Sequence, residues 1–320
     1  MRFVYPDVVD IAYAASAPLL VFPRVGSWAY YEKVTESAER ASAGCPAAIK
    51  ETLMDIVGVL NDTAIFFQDV AQRMGVCLHT IPDYITTNEV FSQEIMMIVG
   101  CNFADFNMDN YPPTQETTLA KACHVFQDDG MDSYEKMGAL FKLVMKKKEK
   151  CFDLMSQVPA GPNSTISTAD WSGAGDGKTG RTWKFQLCSD LIVRTGYSEK
   201  SMFPVREWSL EWLTDHCQRR FGVRPQPYRL VDKWGFNDLK AGGATRILFT
   251  NGLNNGWLVL SVLKSLLIRL WQLTFPMELI IATCLMGAQV QRTRKTFSMA
   301  LIKSRIFWVS GLREWNMLRE

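Results

Sequence analysis

Arg246-Ile247-Leu248-Phe249-Thr250-Asn251-Gly252 is the stretch that decides the fold. Three apolar residues and a threonine, closed by Asn-Gly, predict a short buried strand that runs into a tight turn. In open α/β folds, ligands bind outside the carboxyl ends of such strands. The residues just past Gly252 therefore become the first place to look for a site.

A second strand is expected near the start of the chain. Val8, Val9, Ile11 and Tyr13 form a short apolar run that ends in Ala14-Ala15-Ser16-Ala17-Pro18. The small residues allow close backbone approach, and Pro18 stops a hydrogen-bonded ladder. Between the two strands the period changes. Ile49, Leu53, Ile56, Leu60 and Ala64 recur at helical spacing, as do Met137, Leu140, Phe141, Val144 and Met145. Asp132-Ser133 offers a cap for the later helix, and Lys146, Lys147, Lys148 and Lys150 suit the negative end of its dipole. Pro159, Gly161, Pro162, Gly173, Gly175, Gly177 and Gly180 mark a linker.

Composition excludes several function classes. The 320 residues are 48% hydrophobic and 21% charged, the balance of a globular chain. A net charge of +2 gives no field that would gather nucleic acid. The eight cysteines include no Cys-x-x-Cys, and the three histidines (His79, His124, His216) are scattered, so zinc spacing is absent and no metal or other cofactor is expected. Gly177-Lys178-Thr179 is not a phosphate loop, because Ser172 stands where the template needs glycine. No apolar run reaches the roughly 18 residues of a membrane span; the stretch from Trp257 is broken by Lys264, Arg269 and Glu278. Residues after Met1 lack the apolar segment of a secretory signal. Spacing leaves the cysteines open to either free thiols or disulfides. Sequons at Asn61 and Asn163 tilt toward a secretory history.

Three blocks, in order, resemble the prolyl carboxypeptidase and dipeptidyl-peptidase II family of serine peptidases. They are Tyr5-Pro6-Asp7 through Pro18; Trp183 to Asp190 with Ser201-Met202-Phe203-Pro204, Cys217 to Val223 and Pro225-Gln226-Pro227; and Ile247 through Trp257. The resemblance implies an α/β-hydrolase fold, N-terminally truncated, with a largely helical cap inserted into it. Residues 1–30 would be a core remnant, 31–182 the cap with its linker, and 183–257 the rest of the core. Residues 258–320, with nine Lys and Arg against three Glu and no Asp, would be a basic tail foreign to the family. The implied disulfides are Cys45 with Cys123, Cys77 with Cys151, and Cys188 with Cys217. The implied location is secreted or lysosomal (vacuolar in some organisms).

The same resemblance implies exopeptidase chemistry on proline-containing peptides, run by a Ser–His–Asp triad. The sequence departs from it at each member. It contains no Gly-x-Ser-x-Gly elbow, and Ser16 belongs to the end of the next strand. Asn255 occupies the aspartate position, two residues before Trp257, which matches a tryptophan of the proline pocket. No histidine follows His216, and Gly287-Ala288-Gln289-Val290 stands where Gly-Ala-His-His would be. His216 itself is expected on a helix surface. Two readings follow: an incomplete representative of a proline-selective peptidase, or a non-catalytic relative that binds peptide or protein. Self-association into a homodimer is compatible with either.

Overall fold

A computed structural model describes residues 2–21, 28–110, 116–145, 149–154, 185–235, 239, 242–263 and 270–275. The decisive stretch forms a strand, β2 (Ile247–Gly252), which pairs in parallel with β1 (Ala12–Ala15) on one side and β3 (Leu270–Phe275) on the other. Register sets Ala12 against Ile247 and Ala15 against Thr250. A central parallel strand is covered on both faces, which is why β2 reads as a continuous apolar run. Ile247 and Phe249 pack with Leu239, Ala244 and Val262 in a small core beside the sheet.

The rest is helical: α1 (Ala29–Ala41), α2 (Cys45–Leu60), α3 (Phe67–Arg73), α4 (Asn88–Met108), α5 (Thr118–Phe126), α6 (Ser133–Val144), α7 (Leu210–Phe221) and α8 (Arg229–Trp234). The predicted stripe on α2 is buried: Ile49, Leu53 and Ile56 are fully covered, each burial stabilising the fold by about 1.5–3 kcal/mol. Ala64 falls beyond the helix, which ends at Leu60. Asp132 caps α6 as expected, accepting from the Tyr134 and Glu135 amides while the Glu135 carboxylate reaches back to the Asp132 amide. Lys146 to Lys148 and the linker at 159–181 lie outside the described residues.

Three findings differ from the sequence reading. The strand expected over the apolar run Val8–Tyr13 begins only at Ala12, as β1; Val8 is 81% exposed and Ile11 61%, ahead of a strand at the edge of the sheet among the described residues. Among the described residues of 185–257, only β2 joins the sheet. Tyr197, Met202 and Phe203 instead pack into the helical core, where Tyr31 meets the rings of Tyr197 and Phe203 edge-on. Finally, β3 lies within the stretch expected to be a tail without family character.

Candidate functional site

Three polar side chains with an unused atom each lie at or just past the carboxyl ends of β1 and β2. Ser16 follows β1 with φ of +46°, a left-handed conformation rare for a residue with a Cβ. Its amide donates to the Thr250 carbonyl at 2.7 Å, extending the ladder by one bond, while its buried Oγ has no partner. Asn251 spends its Nδ2 on the Val262 carbonyl at 3.1 Å and leaves Oδ1 unpaired. Asn255 is fully buried; its Oδ1 accepts from the Trp257 amide at 3.0 Å, and its Nδ2 has no acceptor. Unpaired buried polar atoms are uncommon in native proteins.

Asn255 caps a 3-10 turn, Gly256–Leu260, and that turn is pressed against α1 and α4. A Cβ on Gly256 would come within 2.8 Å of the Tyr30 ring, so only glycine allows this approach. Asn107 of α4 accepts from the Gly256 amide and donates to the Asn254 carbonyl, both at 2.8 Å. Ser37 donates to the same carbonyl at 2.8 Å, and Arg40 donates to the Asn254 side chain. Trp257 is half-buried, its ring 4.6 Å from Tyr30 and its indole N–H on Met108 Sδ at 3.3 Å. Sequence periodicity misses Asn107 because a polar residue in an apolar helix carries no local sign of its distant partner.

His216 is not on a surface: it is 6% exposed, which corrects the sequence expectation. Its Nδ1 meets Glu94 Oε1 at 2.9 Å, and Arg220 lies 3.6 Å from Glu94 Oε2. A buried carboxylate requires such partners, and α7 turns this face inward to supply them. Burial pushes the Glu94 carboxyl up, but the His216 hydrogen bond and the charges of His216, Arg220 and Arg219 outweigh it, so the group sits below the usual carboxylate range. Burial, then the Glu94 charge, pushes the Tyr84 phenol up to about 12. Pro82, Tyr84, Ile85, Glu94 and Arg220 border a shallow recess. Among the described residues His216 shares no hydrogen bond with Asn255 or Ser16.

The structure bonds Cys45 to Cys123, Cys77 to Cys151 and Cys188 to Cys217. Asn61 is exposed at the end of α2. Asn163, Cys284 and Gly287–Val290 lie outside the described residues. Among the described residues no group of three or more potential ligands is placed to hold a metal, and no helix is long and apolar enough to cross a membrane.

The family model for serine carboxypeptidase S28 matches residues 1–274, past the point where the sequence resemblance was placed and into β3. The chain is similar to lysosomal Pro-X carboxypeptidase from Pongo abelii, with 22% identity over 267 residues, covering 80% of this chain and 49% of the relative. The protein of the same name from Homo sapiens gives the same identity and coverage. That from Bos taurus is 26% identical over 310 residues, 92% of this chain and 58% of the relative. The chain thus spans about half the length of the curated relatives it matches.

Proposed function

The chain belongs to the serine carboxypeptidase S28 family, and from that premise we propose that it represents the serine exopeptidases that cut peptides next to proline, without a working triad of its own. The parallel sheet is then part of an α/β-hydrolase core, and α1 to α6 are its cap. Trp257, half-buried on Tyr30 beside the strand ends, lines the proline pocket. Three disulfides and an exposed sequon at Asn61 suit a lysosomal or secreted setting.

The observation that carries the missing-triad part is Asn255. An aspartate there would offer a charged acceptor to an imidazole N–H and stabilise the imidazolium. Asn255 has its oxygen engaged by the Trp257 amide, and its remaining polar atom is a donor. A donor facing a donor neither orients a histidine nor stabilises its charge. In another triad the same exchange lowers kcat about 10⁴-fold. This favours the second reading, a relative that binds peptide without cutting it.

Purified protein incubated with a proline-containing peptide tests the proposal by mass spectrometry and calorimetry together. Intact peptide with saturable binding is the expected result. Hydrolysis that a serine-directed phosphonate blocks would show that the chain is a working peptidase.

A further inference from the structure

The side chain that holds the Trp257 indole N–H is a thioether. Met108 is the last residue of α4, and its Sδ accepts that N–H at 3.3 Å. Two other contacts of Trp257 are firm. Its amide donates to Asn255 Oδ1 at 3.0 Å, and its ring lies 4.6 Å from the Tyr30 ring at a tilt of 51°. Tyr30 is buried and Asn255 fully so, and close-packed interiors yield little. A thioether is only a weak acceptor. The indole therefore has a rigid backing and one weak, chemically changeable support.

Met108 and Trp257 are both half-buried, and their hydrogen bond is only partly buried. Core methionines are placed differently. Met74 and Met137 are fully buried and Met202 is 1% exposed, shielded from a dissolved oxidant. Met54 is 48% exposed, but it sits on α2 rather than α4. Met108 thus combines reach from solvent with a direct bond to a residue beside the strand ends.

We propose that Met108 is an oxidative modification site through which a hydroperoxide resets the position of Trp257. The hydrogen bond engages one lone pair of the sulfur and leaves the other for the oxidant. A hydroperoxide gives its outer oxygen to that second lone pair. The O–O bond breaks and the S–O bond forms. The proton moves onto the departing oxygen, which leaves as an alcohol, or as water from hydrogen peroxide. Sulfur loses two electrons and the peroxide gains them. The product is methionine sulfoxide, which is polar and chiral. A methionine sulfoxide reductase restores the thioether, with a dithiol supplying two electrons and two protons while the oxygen leaves as water. The sulfoxide oxygen is a stronger acceptor than the thioether and stands one bond further out. The indole N–H follows it, and with the Tyr30 ring fixed behind, Trp257 changes position against α4. The contact itself carries this site, whatever ligand Trp257 faces.

Dilute hydrogen peroxide on the full chain tests it, followed by peptide mass mapping and by the Trp257 indole N–H resonance. Met108 should gain one oxygen at the dose that converts Met54, while Met74 and Met137 stay unchanged. In step with that gain, the Trp257 resonance should shift downfield, toward a stronger acceptor. Met108→Leu, an exchange that conserves volume, should show no peroxide-dependent shift although Met54 is still oxidised. The first measurement uses the unsubstituted protein, so it stands even where the variant fails to fold. A Met108 that stays unoxidised once Met54 is fully converted, an oxidised Met108 with an unmoved resonance, or the same shift in Met108→Leu would overturn the site.

Discussion

Asn107 Oδ1 accepts the Gly256 amide at 2.8 Å, joining the middle of the helical body to the turn that carries Asn255 and Trp257. The same side chain donates to the Asn254 carbonyl. One fully buried amide therefore satisfies two backbone groups that no strand or helix pairs. Asn107→Leu leaves the Gly256 amide unpaired, at about 1–3 kcal/mol for a buried group, while the Asn254 carbonyl keeps its bond from Ser37. A urea unfolding midpoint that falls accordingly is the expected result; an unchanged midpoint would mean that water reaches the turn.

The Cys45–Cys123 bridge links residues 78 apart in sequence, from the first residue of α2 to the middle of α5. Closing a loop of this length restricts the unfolded chain, which stabilises the fold by about 4 kcal/mol in the chain-entropy view. Both cysteines are fully buried, so Cys45→Ala with Cys123→Ala also removes two buried sulfur atoms and adds a small cavity cost. The double variant should lose at least that amount in denaturant titration under oxidising conditions. Under reducing conditions, with the other bridges also open, the gap between the two proteins should narrow to the cavity cost.

The Glu94–His216 contact makes a signed pH prediction. Glu94 has its folded pKa lowered below the ordinary 4.5. Its ionised form therefore contributes stability that is complete above the unfolded pKa and is lost as pH falls through the folded one. The stability difference between the native chain and Glu94→Gln should stay level from pH 7 down to the unfolded value. Below that it should shrink. Thermal unfolding across this range reads it directly, and a difference that grows toward acid pH would contradict the assignment.

How far the sequence reveals this arrangement depends on the range of each contact. The β2 strand and the α2 and α6 stripes are legible because burial repeats with a local period, and Asp132 because its cap partners lie within three residues. The family resemblance supplies the cysteine partners, which spacing alone leaves open. Glu94 and His216 stand 122 residues apart, and neither has a local pattern that names the other. The stretch 183–257 reads as mixed α/β, and the resemblance makes it core by its order in the chain. Its later part forms β2, while packing of Tyr197 and Phe203 against Tyr31 draws its earlier part onto the helices.

Asn255→Asp tests whether the site retains anything of a triad. Asn255 is fully buried, and the donor on its side-chain oxygen is the Trp257 amide at 3.0 Å. Aspartate would place a charge where a neutral backbone N–H, and no cation, is the hydrogen-bonded partner. Burial would then raise the pKa of the introduced carboxyl above its unfolded value of about 3.9. A raised carboxyl pKa removes stability as pH rises above the unfolded value, so the variant should match the native chain near pH 3 and fall below it by about 3 kcal/mol at pH 7, the cost of an uncompensated buried charge. Unfolding midpoints at the two pH values measure this. If the variant is instead as stable at pH 7 as at pH 3, a positive partner lies within reach of position 255, and the site keeps the polarity on which a Ser–His–Asp triad depends.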